Sequence, residues 1–166
     1  SLSPQNNINN SIENIEFHFI SAINKIIENK KDNIAFLTGN GELNSNQTFD
    51  ITSSVNNDNN NLNYYYNVEE FNIKEFEYDS IKNEPNISLQ LKNLNRYKLL
   101  IIAKPTIPFN KLDKFLIDQY IMNGGKVLFL IDGAIASLDS LNNKYGYFIA
   151  TKNNLNLDDQ LFKYGI

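Results

Sequence analysis

Tyr97-Lys98-Leu99-Leu100-Ile101-Ile102-Ala103-Lys104-Pro105, then Asn110-Lys111-Leu112-Asp113, then Gly124-Gly125-Lys126-Val127-Leu128-Phe129-Leu130-Ile131-Asp132 is the stretch that decides the fold. Tyr97 to Ala103 is apolar but for Lys98, uninterrupted from Leu99 on, and is stopped by Lys104-Pro105 with Pro108 behind it. Such a run predicts a buried strand that ends in a proline-stiffened loop. Asn110 then caps a helix whose stripe is Leu112, Phe115, Leu116, Ile117, Tyr120 and Ile121, with Asp113 in the first turn and Gly124 as the stop. Val127 to Ile131 follows as a second buried strand, closed by Asp132-Gly133. Strands apolar on both faces and joined through a helix form the unit of a parallel sheet.

The same grammar extends in both directions. Upstream, Ile34 to Leu37 is a short apolar strand ending in Thr38-Gly39-Asn40-Gly41, and Tyr64 to Val68 with Phe71 to Ile73 is suited to another strand. Thr48 to Val55 reads as a weak helix, Asn56 to Asn63 as an asparagine-rich loop, and Lys74 to Asn95 as no more than a short helix or turn. Ile12, Ile15, Phe19, Ile23, Ile26 and Ile27 recur at helical spacing, which predicts an amphipathic helix over 12–27 with Ser11 as N-cap and Lys30 and Lys31 near its end. Residues 1–10 read as a flexible arm. Downstream, Asn156 is expected to cap a last helix, with Asp158 and Asp159 in its first turn, Leu157, Leu161 and Phe162 as its apolar face, and Gly165 as stop. Alternation of at least four short strands with helices predicts a single α/β domain over 1–166. Its sheet is open and mostly parallel, with helices on both faces, of the doubly wound Rossmann or flavodoxin-like kind.

Composition narrows the function. With 166 residues, 42% of them apolar, and a net charge of −4, the chain belongs to the globular class. Thirty residues are asparagine, and fourteen lysines stand against the single Arg96. These preferences follow adenine- and thymine-rich codons, so most asparagines are discounted as carriers of function, and glycines, prolines, aspartates and Arg96 are weighed instead. Absence of cysteine excludes disulfides, a thiolate nucleophile and cysteine-based zinc sites. The apolar runs fall short of the roughly 18 to 20 residues that cross a bilayer. One arginine, an acidic balance and no basic cluster argue against a nucleic-acid surface, and no Walker loop is present.

In such sheets ligands occupy the crevice beyond the carboxyl ends of the strands, here Thr38 to Glu42, Lys104 to Phe109 and Asp132 to Ala134. The candidate crevice residues are Gly39, Asn40, Gly41, Glu42, Lys104, Pro105, Pro108, Phe109 and Asp132. Gly39-Asn40-Gly41-Glu42 is either a phosphate loop lacking its third glycine or a tight turn that uses glycine at positive φ. Asp132, with Asp139 nearby, is either a metal-type carboxylate or an acceptor for backbone N–H groups at the strand end. Asp113, Asp118, Asp158 and Asp159 sit on predicted helices, where dipole stabilisation accounts for those in first turns. His18, the only histidine, lies on the first helix, away from any strand end, and Arg96 precedes a strand. No catalytic set, metal site or cofactor site assembles from these residues.

Longer motifs carry a family likeness. Phe36-Leu37-Thr38-Gly39-Asn40-Gly41-Glu42-Leu43, Ile101-Ile102-Ala103-Lys104-Pro105-Thr106 with Pro108-Phe109, and Asp118-Gln119-Tyr120-Ile121-Met122-Asn123-Gly124-Gly125-Lys126 are the first three. Leu130-Ile131-Asp132, Ser137-Leu138-Asp139-Ser140-Leu141 and Leu155-Asn156-Leu157-Asp158-Asp159-Gln160-Leu161-Phe162-Lys163-Tyr164-Gly165 complete the set. From about Ile34 to Gly165 the chain resembles the GldG family of gliding-motility auxiliary proteins of Bacteroidetes, within the wider class of ABC-transporter auxiliary proteins. It departs from them at Asn40, where relatives typically have histidine, and in the expanded Asn56 to Asn63 stretch.

The resemblance implies a glutamine-amidotransferase-like α/β module, a fragment of a longer membrane-anchored protein. That protein would lie on the periplasmic side of the inner membrane and work with ABC permease and ATPase subunits and with other parts of its own chain. It implies a non-enzymatic role, and without cysteine the amidotransferase nucleophile is missing. Two classes of function follow: a protein-interaction module of an ABC-type complex involved in gliding motility, or a domain that binds a nucleotide, metal or glycan, or processes a sugar, near Gly39, Glu42, Lys104 and Asp132.

Overall fold

A computed structural model describes residues 4–27, 31–53, 61–78, 84–135 and 150–165. The chain divides into two compact units, Ser1–Lys31 and Asp32–Ile166. The first is built on helix α1, Pro4–Ile27. It begins well ahead of Ser11, so residues 4–10, expected as an arm, are helical; Pro4 stands at the first helical position, where its missing N–H costs nothing. The periodic stripe from Ile12 to Ile27 lies on this helix as its spacing requires.

The α/β organisation expected of the whole chain belongs to the second unit. Strands β1 (Asn33–Thr38), β2 (Asn67–Asn72), β3 (Leu99–Ala103) and β4 (Lys126–Leu130) form one open sheet in the order β2-β1-β3-β4. Every pairing is parallel, with Ile34 opposite Val68 and Leu99, and Ile101 opposite Leu128. The quoted stretch folds as read: β3, then α5 (Lys111–Met122), then β4. At its start Asn110 accepts from the N–H groups of Leu112 and Asp113, and Asp113 Oδ2 accepts from Asn110 N at 2.8 Å, a complete capping box.

Three local expectations are corrected. Tyr64 and Tyr65 belong to a helical turn, α3 (Leu62–Tyr65), between the one-turn helix α2 (Phe49–Thr52) and β2. The Asn61 side chain accepts from Tyr64 N at 2.9 Å, and this cap outweighs the β-propensity of three consecutive tyrosines. Asn86 caps α4 (Ile87–Leu94) in the stretch read as little more than a turn. The last helix, α6 (Asp158–Lys163), follows Leu157 and lacks the expected Asn156 cap. Asn156 adopts a left-handed φ of 58° and gives its Nδ2 proton to the Phe109 carbonyl instead. Two-residue strands β5 (Ala134–Ile135) and β6 (Thr151–Lys152) pair antiparallel. Lys30, residues 56–60 and the Ser137–Leu141 motif with Asp139 lie outside the described residues.

Packing on the two sheet faces is unequal. On one face Ala35, Leu37, Leu100 and Ile102 meet Leu94 of α4, Leu116, Ile117 and Tyr120 of α5, and Leu155 and Leu157 ahead of α6. Full burial of each large aliphatic side chain stabilises by about 1.5–3 kcal/mol, so this face supplies most of the core. Tyr120 sits in it without a stranded hydroxyl, which donates to the Tyr97 carbonyl at 3.0 Å. The other face, Ile34, Phe36, Ile101 and Ala103, is covered by Leu43, Leu62 and Val68. There Leu128 and Leu130 of β4 remain 44% and 47% exposed.

Candidate functional site: the strand-end crevice

The sheet brings the carboxyl ends of β1, β3 and β4 together, so the predicted crevice segments are neighbours. The Gly39–Glu42 loop is a tight turn. Gly39 and Gly41 have φ of 119° and 72°, a region that disfavours side chains. A Cβ on Gly41 would stand 2.1 Å from Thr106 Oγ1, and one on Gly39 would stand 2.8 Å from Lys74 Cγ. Two backbone donors of this loop are engaged within the protein: Asn40 N donates to Glu42 Oε2 at 2.6 Å, and Leu43 N to the Ala103 carbonyl at 3.0 Å. The loop is therefore wedged between its neighbours, as the turn reading of the two glycines requires.

A buried polar group stands beside this turn. Asp113 is almost wholly buried, and its Oδ2 accepts both Asn110 N and the Lys74 ammonium, which arrives from the segment after β2. Burial pushes the Glu42 carboxyl above its ordinary value, and the neighbouring Asp113 carboxylate adds to that; the Glu42 and Asn40 N–H groups and Lys74 act in the opposite direction. Asn40 is fully buried, and neither atom of its side-chain amide has a protein partner. Lys74 and Asp113 were not among the crevice residues expected from sequence. The approach of Lys74 depends on the β1–β2 pairing, and the apparent role of Asp113 as a helix-dipole residue concealed its second partner.

The loop 104–109 closes the crevice from the β3 side. Thr106 N and Ile107 N donate to the Asn40 carbonyl at 3.0 and 2.8 Å, and Thr106 Oγ1 donates to the Gly41 carbonyl at 3.0 Å. Asn153, largely buried, ties the loop to β4 by donating to the carbonyls of Pro105 and Asp132 at 3.3 and 3.1 Å. Pro105 is buried and Pro108 exposed. Phe109 is a core residue, 1% exposed, so its ring faces α5 and the sheet and is withdrawn from the surface. Lys104 holds a left-handed φ of 51° and pairs with Asp132 at 3.4 Å, both side chains more than half exposed. That pair contributes at most about 1 kcal/mol.

Next to it lies an apolar groove of about 350 Å³, lined by Leu43, Ile51, Ile101, Leu128 and Leu130 with Lys104 and Asp132 at its rim. It lies on the thinly covered sheet face. Gly39–Glu42, Pro105, Pro108 and Phe109 do not line it, so of the nine crevice residues only Lys104 and Asp132 reach this groove.

Among the described residues, no three histidine, aspartate or glutamate side chains converge as a cation site. His18 packs edge-on against Phe17 at 5.6 Å on α1, and Asp118 accepts the Tyr164 hydroxyl at 2.8 Å. Among the described residues, no helix is long and apolar enough to cross a membrane.

No curated protein and no solved structure shows significant similarity to the chain. The family described as "ABC-type uncharacterized transport system", whose members are auxiliary components of ABC-type transport systems, matches residues 31–166, the whole span that carries the sheet and its crevice. The chain belongs to this family of ABC-transport auxiliary proteins.

Proposed function

We propose that the chain is the extracytoplasmic part of a membrane-anchored, non-enzymatic auxiliary protein that works by protein–protein contact with the permease and ATPase subunits of an ABC-type complex involved in gliding motility. It would stand on the periplasmic side of the inner membrane. The observation that carries this reading is the apolar groove over β3 and β4, where Leu128 and Leu130 are nearly half exposed beside the Lys104–Asp132 pair. Parallel sheets are normally covered on both faces, and an open apolar stretch of this kind suits a contact with another polypeptide. The resemblance to gliding-motility auxiliary proteins supplies the process, and family membership supplies the transport complex.

The test places glutamate at Leu128 and Leu130 in the anchored full-length protein. The double variant should keep its thermal transition within a few degrees, lose co-purification with the permease, and reduce colony spreading. Undiminished recovery of the permease with the folded variant would overturn the proposal.

A further inference from the structure

The sheet order leaves β2 at an edge, paired only with β1 among the described residues. Asn67 N donates to the Asp32 carbonyl and Ile73 N to the Thr38 carbonyl, so the odd-numbered residues of this strand turn their backbone groups to β1. The alternate residues of a parallel ladder then turn theirs away, so Val68 and Glu70 present N–H and C=O groups on the open side, and Asn72 its N–H. Beside this edge lies a groove of about 330 Å³, formed by the end of β2, the segment 75–77 and α4. Phe71, Phe76 and Leu89 give it an apolar part, and the exposed Glu70, Glu75 and Glu77 give it three carboxylates. None of the three enters an ion pair among the described residues. Gln90 also lines the groove and is 5% exposed; its Nε2 donates to the Asn72 carbonyl at 3.2 Å, and no described group donates to its Oε1.

We propose that the β2 edge takes up an extended segment of a partner protein as a fifth strand, and that lysine or arginine side chains of this segment are held by Glu70, Glu75 and Glu77. Open backbone groups in a row call for an extended polypeptide, since another strand satisfies them in register. The carboxylates and the Gln90 Oε1 only accept, so the side chains that fit beside them are cationic donors. A net charge of −4 on the chain favours the encounter with a basic segment. A bound metal ion would need convergence that these carboxylates lack, because no three such groups among the described residues are placed to hold one. Guarding the edge against self-pairing would account for exposed carboxylates, but not for a recessed acceptor in the adjoining groove. This surface lies at the opposite edge of the sheet from β4, so the proposal stands whether or not the groove over β3 and β4 meets a permease.

The test titrates the chain against a labelled peptide of about eight residues that alternates lysine and valine, read by fluorescence anisotropy and by amide resonances. The peptide should bind, with its largest shifts at Val68, Glu70 and Asn72. Binding should weaken by roughly tenfold or more as salt rises from about 0.01 to 1 M. A peptide with glutamate in place of lysine should not bind, and one N-methylated at alternate backbone nitrogens should lose most of its affinity, because it keeps the charge but cannot complete the ladder. Glu70→Pro removes the outward N–H and a carboxylate at a position where an edge strand tolerates proline, and should abolish binding. If that variant does not fold, Glu75→Lys with Glu77→Lys decides, since both side chains are exposed; it should weaken binding roughly tenfold or more with the thermal transition kept. No binding of the lysine peptide, equal binding of the N-methylated one, or shifts centred on Lys126–Leu130 would overturn the proposal.

Discussion

Replacing Gly41 by alanine tests whether the glycine loop is a wedged turn, and its cost can be worked from the geometry. The backbone at this position has φ of 72°, and placing an L-residue there costs about 1–2 kcal/mol. The new Cβ would also fall 2.1 Å from Thr106 Oγ1 and 3.2 Å from Ile107 Cγ1, so Thr106 must move away. In moving it surrenders its hydrogen bond to the Gly41 carbonyl, worth about 0.5–1.5 kcal/mol. Together these give a loss of about 3 kcal/mol, or roughly 10 °C in the thermal midpoint for a unit of this size. Urea unfolding of Gly41→Ala, Thr106→Ala and the double variant separates the two terms. In the Thr106→Ala background the alanine at position 41 should cost only the φ term, about 1–2 kcal/mol. Strict additivity of the two substitutions, or a cost for Gly41→Ala below about 1 kcal/mol, would refute the wedged turn.

Two further outcomes follow from burial and pairing. Phe109→Ala should cost about 3–5 kcal/mol in denaturant unfolding, since its ring is in the core; a loss under about 1 kcal/mol would return Phe109 to the surface. The Tyr97 hydroxyl, partly buried and bonded to Glu69 Oε2 at 2.8 Å, is pushed up from 10.0 to about 12, mainly by desolvation and then by Glu69. A raised value contributes stability that is fully present below pH 10.0 and is lost as the pH rises through about 12. The wild type minus Tyr97→Phe difference in ultraviolet titration should show this late ionisation, and Glu69→Gln should bring it to lower pH; an ionisation at the ordinary value contradicts the pairing.

The open sheet face and the packed turn have different consequences for function. Leu128 and Leu130 can change without emptying the main core, because the side chains that meet α4 and α5 are the alternate residues of β3 and β4. Substitutions in the turn act directly on the 104–109 loop, because the carbonyls of Asn40 and Gly41 accept hydrogen bonds from Thr106 and Ile107. A surface that can be altered without unfolding the domain is what an interaction module requires.

Discounting asparagines as a product of composition served poorly at particular positions. Asn110 is legible as a cap because it stands next to the long periodic helix it starts. Asn61 and Asn86 are also caps, on helices too short to show a periodic stripe. Asn153 and Asn156 hold carbonyls of the 104–109 region from nearly fifty residues away, and nothing local marks such a bond.

By itself, the sequence determined the parallel α/β class, the β3–α5–β4 unit, the presence of a glycine loop after β1 and the segments at the strand ends, since each rests on local periodicity, capping or backbone freedom. Family likeness was also legible in its ordered motifs. Tertiary structure alone decided that Phe109 turns inward, that Lys74 reaches Asp113, that Asn40 is sealed within the turn, and that one sheet face stays thinly covered over β4. Those outcomes depend on which strands become neighbours and on the face each residue then presents, and such long-range pairings leave no periodic trace in the chain.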